Sequence, residues 1–138
     1  ADVLVGFPGE DGHSFDNTAQ LIEELPLSYL HVFPFSRRPG TPACDYPDQI
    51  PPQAIKQRTA RIREIGLKKK RVFMRNAVSQ QAAVLVETRR DTGTGLLKGL
   101  TPNYLSVLLE GDDLHMNTVV SVVIESAYND RSLFGRIV

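Results

Sequence analysis

The first ten residues constrain the fold more than any other stretch of this 138-residue chain. Residues 3–5 form an apolar run with two β-branched side chains, which predicts a strand buried on both faces. The turn-forming segment at residues 6–9 ends that strand, and Ser14 is expected to cap the helix that follows. The apolar stripe of this helix comprises Phe15, Ala19, Ile22 and Leu25.

A second apolar run at residues 27–33 predicts another strand, so that the first fifty residues contain a βαβ unit with a right-handed crossover. Two strands and one helix cannot bury both faces of a sheet, which predicts the edge of a larger parallel sheet or partial barrel. Ligands of such sheets lie at the carboxyl ends of the strands. Gly6 and Gly9 would let a ligand approach the backbone there, whereas Glu10 would either bond ligand hydroxyls or stabilise the helix N-terminus.

The middle of the chain is a proline-rich loop followed by a basic helix. Six prolines between positions 34 and 52 space out a loop too long to be an idle connection. A helix is expected from Gln53, and Gly66 inside it predicts a bend or a break into two helices. Its intermittent apolar stripe comprises Ile55, Ile62, Ile65 and Val72.

The net charge of zero conceals a strong asymmetry along the chain. Residues 1–52 contain two basic and eight acidic side chains, whereas residues 53–75 contain nine basic side chains and one acidic. The remaining residues contain five basic and seven acidic side chains. This concentrated positive segment predicts a polyanionic partner, with solvated charge as the alternative.

The last sixty residues have the pattern of a small all-β domain. Five short strands are expected at residues 82–88, 95–101, 104–109, 119–125 and 133–138, separated by turn-rich segments. Five strands in about sixty residues predict a closed barrel of the OB type. In such a barrel, Tyr104 and Phe134 either fill the core or, where exposed, stack on a nucleotide base.

Three motifs resemble one enzyme family, in order along the chain. The segments DVLVGFPGE at 2–10 and HVFPFSRRPGTPA at 31–43 resemble two late strands of the barrel in radical S-adenosylmethionine (SAM) methylthiotransferases. The segment GLTPNY at 99–104 resembles their terminal RNA-binding barrel, the TRAM domain. The residues of the second and third motifs are most similar to those of the subfamily that modifies threonylcarbamoyladenosine in tRNA.

The resemblance implies an α/β part followed by an all-β part. Residues 1–52 would be the last βαβ portion of a radical SAM partial TIM barrel, residues 53–75 a basic linker helix, and residues 76–138 a five-stranded, OB-like TRAM barrel. The parent enzyme would use SAM and two 4Fe-4S clusters to add a methylthio group to a modified adenosine next to the anticodon. No apolar run of the sequence approaches the length of a membrane span, and no charged-then-apolar leader marks a signal peptide, so we expect a cytoplasmic protein.

The candidate site residues fall into three groups. The SAM-binding group implied by the resemblance is Val5, Gly6, Phe7, Pro8, Gly9 and Glu10. The substrate-binding group in the loop is Phe35, Ser36, Arg37, Arg38 and Thr41, in which the arginines could bind the carboxylate of a threonylcarbamoyl group. The RNA-binding group is Lys68, Lys69, Lys70, Arg71, Arg75, Lys98 and Tyr104, of which the first five supply phosphate contacts.

Cys44 is the only cysteine, and one thiolate cannot hold an iron–sulfur cluster. The cluster cysteines of the family therefore lie outside this sequence, which predicts a fragment that binds no iron and is inactive alone. Scattered histidines also predict no metal site. We expect the fragment to associate through exposed sheet edges. The alternatives are a methylthiotransferase for isopentenyladenosine or for a ribosomal protein, and a non-catalytic RNA-binding module.

Overall fold

The computed structural model describes residues 1–138, which divide into two compact units, Ala1–Lys70 and Arg71–Val138. The boundary lies inside the second of two helices. In the first unit, β1 (Asp2–Val5) is followed by α1 (Gly12–Glu24) and β2 (His31–Pro34), and a short 3-10 turn at Pro42–Cys44 precedes α2 (Pro52–Ala77). Strands β1 and β2 pair in parallel, with Asp2 opposite His31 and Val5 opposite Pro34.

The core of the first unit forms where α1 and α2 pack on one side of this two-stranded sheet. Phe15, Ala19 and Ile22 of the predicted α1 stripe are buried, whereas Leu25 ends the helix and is exposed. The three buried helix residues cluster with Val5, Leu30, Ile62 and Ile65. The apolar stripe of the first helix was thus predicted correctly for three of its four positions.

Three local expectations for this unit were wrong. Asp11 caps α1, because its carboxylate accepts a hydrogen bond from the amide of Ser14 at 2.7 Å. Strand β1 is not buried on both faces, since Leu4 is 49% exposed on the side away from the helices. Strand β2 begins at His31 instead of residue 27, because Leu25–Leu30 connect to it as irregular chain.

Helix α2 is continuous through Gly66, so the predicted break is absent. A Cβ atom at this position would lie 3.1 Å from Cδ1 of Leu30. The glycine therefore lets the connection before β2 pack directly on the helix backbone. Close packing against Leu30 accounts for a residue with poor helix propensity at this position.

The second unit is a closed five-stranded barrel, which confirms the predicted architecture. Its strands are β3 (Gln81–Val86), β4 (Leu97–Leu100), β5 (Ser106–Leu109), β6 (Val119–Ala127) and β7 (Ser132–Ile137). They pair in the order β3-β4-β5-β7-β6, with β5 and β7 parallel and the other pairs antiparallel. All five predicted strands are present, with ends shifted by up to two residues.

The barrel interior is filled by alternating apolar residues from every strand. Val84 and Val86 point inward from β3 with essentially no exposure, whereas Leu85 between them is half exposed. The interior cluster comprises Met74, Val84, Val86, Leu97, Leu105, Val107, Leu109, Val122, Ile124 and Leu133. Met74 comes from the end of α2, so this last helical turn belongs to the barrel core.

Candidate functional site

The turn after β1 is held by a buried charge pair. Glu10 accepts hydrogen bonds from the backbone amide of Gly6 at 3.0 Å and from Arg58 of α2 at 2.7 Å. Both side chains are largely shielded, with exposures of 12% for Glu10 and 16% for Arg58. The same Arg58 also donates to the backbone carbonyl of Glu10. Glu10 thus fixes the turn, and its carboxylate is already occupied by protein donors.

The two glycines of this turn do different things. Gly6 has a positive φ of 84°, and a Cβ atom there would lie 2.5 Å from Cγ1 of Ile55 in α2. Gly9 has a φ of 85° and open space around the same position. The close approach that Gly6 permits is therefore made by Ile55, while the surface above Gly9 is accessible to a ligand.

Three aromatic rings meet at the carboxyl ends of β1 and β2. The ring of Phe7 contacts those of Phe35 and Tyr46 edge to face, at centroid distances of 5.4 Å and 6.1 Å. The chain is drawn together here by a hydrogen bond from the amide of Phe35 to the carbonyl of Val5 at 2.7 Å. Candidate residues from the first and second sequence motifs are therefore neighbours at this edge of the sheet.

The loop after β2 folds back on itself through its own side chains. Arg37 donates from Nε and Nη2 to the carbonyl of Cys44, at 3.2 Å and 2.7 Å, and Thr41 donates to the carbonyl of Arg38 at 2.7 Å. The exposed side chains of Ser36 and Arg38 make no hydrogen bond or ion pair. Arg37 and Thr41 thus shape the loop, whereas Ser36 and Arg38 are available to a ligand.

A cavity of about 670 Å³ lies between this loop and α2. Its lining includes Phe35 and Arg37 from the predicted substrate group. The helix contributes two further basic residues, Lys56 and Arg63, which the sequence did not single out. Both belong to the basic segment at residues 53–75, so the charge count found the segment but not the two positions that face a cavity.

The basic run at the middle of α2 is largely engaged within the protein. Lys68 pairs with Glu64 one turn earlier at 2.9 Å, which lowers the pKa of that glutamate. Lys69 donates to the carbonyls of Glu23 and Leu25, the last turn of α1, both at 2.8 Å. Its positive charge is favourable at the C-terminal end of that helix.

The remaining basic residues of the helix differ in whether their side chains have partners within the protein. The ammonium of Lys70 lies 5.4 Å from the ring centre of Tyr29, a cation–π contact. Arg71 binds both carboxylate oxygens of Asp130, at 2.6 Å and 2.7 Å, and this pairing raises the pKa of the arginine. Arg75 is exposed, and its side chain makes no hydrogen bond or ion pair. Only Arg75 among the five helix candidates is entirely uncommitted.

On the barrel, Tyr104 stands out from the surface. Its side chain is 85% exposed, and its backbone has a φ of 64°, a conformation that bulky residues rarely adopt. The turn that imposes it is built around Thr101, whose hydroxyl donates to Asn103 at 2.6 Å and accepts from the amide of Leu105 at 2.8 Å. Strain of this kind at an exposed aromatic residue is common at binding sites.

A shallow apolar groove of about 280 Å³ adjoins Tyr104 on the outside of the barrel. Its walls include the outward-facing residues Leu85, Leu100 and Val119, of which Val119 is 66% exposed. Lys98 lies on the same strand as Leu100 and pairs weakly with Glu87, at 3.6 Å. Periodicity of the strand sequence could have identified these outward apolar positions, because each alternates with an inward one.

Neither helix is both long enough and apolar enough to cross a membrane. No group of three or more His, Cys, Asp and Glu side chains is placed to hold a metal ion. Cys44 is partly buried and unpaired in the loop, where its carbonyl binds Arg37.

Comparison with curated proteins gives a consistent result, although no protein-family model matches the chain. The chain is 32% identical over 132 residues to the tRNA-2-methylthio-N(6)-dimethylallyladenosine synthase of Ehrlichia chaffeensis, covering 94% of the chain and 30% of that protein. Proteins with the same name from Pelotomaculum thermopropionicum and Shewanella sp. (strain W3-18-1) are 35% and 34% identical, over 91% and 100% of the chain. The chain covers 28% and 29% of these two proteins.

The chain thus spans less than a third of the length of the relatives it matches. The similarity nevertheless runs through both compact units, because the match to the Shewanella protein includes all 138 residues. The relatives share one name, which specifies a methylthio group, a tRNA and an adenosine. Over both units, the chain is thus similar to proteins that are named for a methylthio modification of tRNA.

Proposed function

We propose that this chain is part of a radical SAM tRNA methylthiotransferase whose target is N(6)-dimethylallyladenosine. The observation that carries the proposal is the similarity of the whole chain, both units included, to proteins of that name. In this proposal, the complete enzyme takes SAM and two 4Fe-4S clusters and adds a methylthio group to the adenosine in tRNA. The chain supplies one side of the SAM and substrate site and part of the tRNA surface.

We take the target nucleoside from the names of the relatives. The similarity of the motifs to the threonylcarbamoyladenosine subfamily had favoured a different nucleoside. The relatives are named for dimethylallyladenosine, which is the isopentenyladenosine that the sequence analysis kept as an alternative target. A dimethylallyl group carries no charge and needs no arginine.

We place SAM against the turn that Val5, Gly6, Phe7, Pro8, Gly9 and Glu10 form. The open space over Gly9 and the partly exposed ring of Phe7 at the carboxyl ends of the strands support this position. In this arrangement Glu10 acts as a positioning residue, since its carboxylate holds the Gly6 amide and Arg58. Phe35, Ser36, Arg38 and Thr41 then border the nucleoside from the neighbouring loop, with Arg37 supporting the loop.

The tRNA surface that we propose is narrower than the basic run. Lys68, Lys69, Lys70 and Arg71 have partners within the protein, so phosphate contacts by them would compete with those partners. Arg75 is free for phosphate, and Tyr104 is free to stack on a base beside the apolar groove, with Lys98 close by on β4. Association of copies through the open edges of β1 and β2 remains part of the proposal, since Leu4 and Phe33 are about half exposed.

The test is the nucleoside content of tRNA in a bacterial strain that lacks its own methylthiotransferases. The complete gene product that contains this chain is expressed there, and digested tRNA is analysed by mass spectrometry. We expect dimethylallyladenosine to gain the mass of a methylthio group less that of the hydrogen atom it replaces. Modification of threonylcarbamoyladenosine alone would reassign the target, and no modified nucleoside would leave the non-catalytic RNA-binding module as the better account.

The position of the redox centre has a separate test. The 138-residue chain should contain no iron after anaerobic reconstitution, because Cys44 has no cysteine neighbour. Stoichiometric iron with the brown absorbance of a cluster would contradict the proposal that the cluster ligands lie outside this chain.

A further inference from the structure

The cavity between the loop after β2 and helix α2 is positively charged and has no acidic lining residue. Three of its lining side chains are cationic, namely Arg37, Lys56 and Arg63. The motifs assign Phe35 and Arg37 of this lining to the substrate group, but neither the motifs nor the relatives assign a ligand to Lys56 or Arg63. An uncompensated group of three cations around a concave surface is selective for anions.

The charges of these three side chains are available to a ligand. Lys56 makes no hydrogen bond or ion pair, and Arg63 makes one long bond of 3.4 Å to the carbonyl of Val32. Arg37 uses Nε and Nη2 on the Cys44 carbonyl, which leaves Nη1 for another acceptor. Since a backbone carbonyl does not neutralise a guanidinium, all three positive charges still act on the cavity.

The register of α2 explains how two of the cations reach the same cavity. Lys56, Thr59, Ala60 and Arg63 follow one another at spacings of three, one and three residues, so they share one face of the helix. The small side chains of Thr59 and Ala60 leave room between the cations, which are separated by about 10 Å along the helix axis. Thr59 is buried, and its hydroxyl bonds to the carbonyl of Ile55 at 2.7 Å.

The rest of the lining is apolar. Phe35, Ile50 and Ile55 form walls next to the basic residues. A volume of about 670 Å³ lies within the range of sites for small molecules and single nucleotides. A ligand that fits both features has an anionic group and a flat or apolar body, which describes a nucleotide.

SAM is a poor match for the same cavity. It carries a sulfonium and an ammonium against one carboxylate, so its net charge is positive and three cations would repel it. A phosphate group is the anion that arginine forks and lysine bind most generally in nucleic acids. We infer that this cavity holds one nucleotide of an RNA, with its phosphate at Lys56, Arg63 and Arg37 and its base against Phe35.

This inference rests on the proposed function for the identity of the RNA, but the cavity can be tested alone. In a titration followed by NMR, adenosine 5′-monophosphate should shift the amide signals of Phe35, Ile55 and Thr59. Adenosine without phosphate should bind at least about tenfold more weakly, because the charge-assisted bonds are lost. The double variant Lys56→Gln/Arg63→Gln should bind the monophosphate about tenfold or more weakly.

The matched control also removes two positive charges from helix α2, but at positions outside the cavity. Arg61→Gln/Lys68→Gln serves this purpose, because these side chains are exposed and pair with Asp16 and Glu64. It should bind the monophosphate within about twofold of the parent chain. Failure of the monophosphate to shift the three cavity signals, or equal losses in both double variants, would overturn the site.

The RNA arm uses an unmodified tRNA anticodon stem-loop over a salt series. The cavity double variant should flatten the slope of log affinity against log salt by about 1.4 to 1.8, and the control by much less. A cavity that binds the monophosphate while RNA binding ignores both substitutions would overturn the RNA assignment. A parent chain that binds the monophosphate but no RNA would instead count against the proposed tRNA function and leave a mononucleotide site.

Discussion

The two units of this chain differ in whether their strands have unpaired edges. The barrel closes on itself, so every one of its five strands has two neighbours. The sheet of the first unit has two strands, and each has one unpaired edge. The barrel accordingly buries one face of each strand around a shared interior, whereas β1 and β2 leave Leu4 and Phe33 about half exposed.

We therefore expect the barrel to be the more stable unit, whereas the proposed SAM and nucleotide sites lie on the first unit. The closed barrel buries its apolar residues around one interior, to which the end of α2 adds Met74, and it presents an outer surface that carries Tyr104 and its groove. The first unit depends on α1 and α2 packed on one side of a narrow sheet. Its turns and loop, which carry the proposed SAM and nucleotide sites, are therefore attached to the less self-sufficient scaffold.

The largest effect that we expect from this difference is in native-state hydrogen exchange. Amides of β1 and β2 should exchange roughly a hundredfold or more faster than those of β5 and β7, because a two-stranded sheet opens locally without disrupting a barrel. Exchange followed by NMR in the intact chain measures both groups at once. Equal protection in the two units would mean that they unfold as one cooperative body, and the comparison would fail.

The second-largest effect that we expect comes from adding a methyl group at one glycine in each unit. A Cβ atom at Gly99 in the barrel would clash with Val84 and lie 2.7 Å from the backbone carbonyl oxygen of Leu85. Backbone in a closed sheet cannot move away, so Gly99→Ala should destabilise the chain by about 1–3 kcal/mol or more. At Gly66 the nearest atom is the end of the Leu30 side chain, which can move.

Gly66→Ala should therefore change stability little, since the gain of about 1 kcal/mol in helix propensity offsets the displacement of Leu30. Gly12→Ala is the control, because no atom lies within 4 Å of a Cβ atom at that position. Urea unfolding of the three variants gives the free energies. A loss at Gly66 as large as that at Gly99 would show that the first unit is packed as rigidly as the barrel.

The sequence predicted the barrel better than the first unit for a physical reason. Strand residues such as Val84, Leu85 and Val86 alternate between the interior and the surface, and this pattern is local. The burial of β1 depends instead on which elements cover each face, and no local pattern records that only one face is covered. Gly66 illustrates the same limit, because its cause is Leu30, thirty-six positions away.

The candidate site residues also differ in how far the sequence could predict them. The exposed Tyr104 and the carboxyl-end turn could be located from motifs, but the partners of the basic run could not. Charge counting cannot distinguish Lys69, which binds carbonyls at the end of α1, from Lys56, which faces a cavity. Only the helix register relative to its neighbours separates the two, and that register is a tertiary property.

The smallest expected effect comes from two aspartates that play the same part, one in each unit. Asp11 accepts the Ser14 amide at the start of α1, and Asp91 accepts the Gly93 and Thr94 amides and the Thr94 hydroxyl in the turn before β4. Hydrogen bonds from Ser14 lower the pKa of Asp11, and those from Thr94 lower the pKa of Asp91. Asp11 is exposed and Asp91 is partly exposed, so each contribution is small.

A depressed folded-state pKa means that the stabilisation is present above the ordinary value of 3.8 and is lost as the pH falls through the folded-state pKa. Asp11→Asn and Asp91→Asn keep an acceptor but remove the charge. Each should lower the melting temperature at pH 7 by a few degrees at most, more for Asp91 with its three donors. The difference from the parent chain should shrink as the pH falls below 3.8 and disappear below the folded-state pKa of each aspartate. If the units melt separately, Asp91→Asn should shift only the barrel transition and Asp11→Asn only that of the first unit. A deficit that persists unchanged at pH 3 would show that geometry, and not the carboxylate charge, supports these two turns.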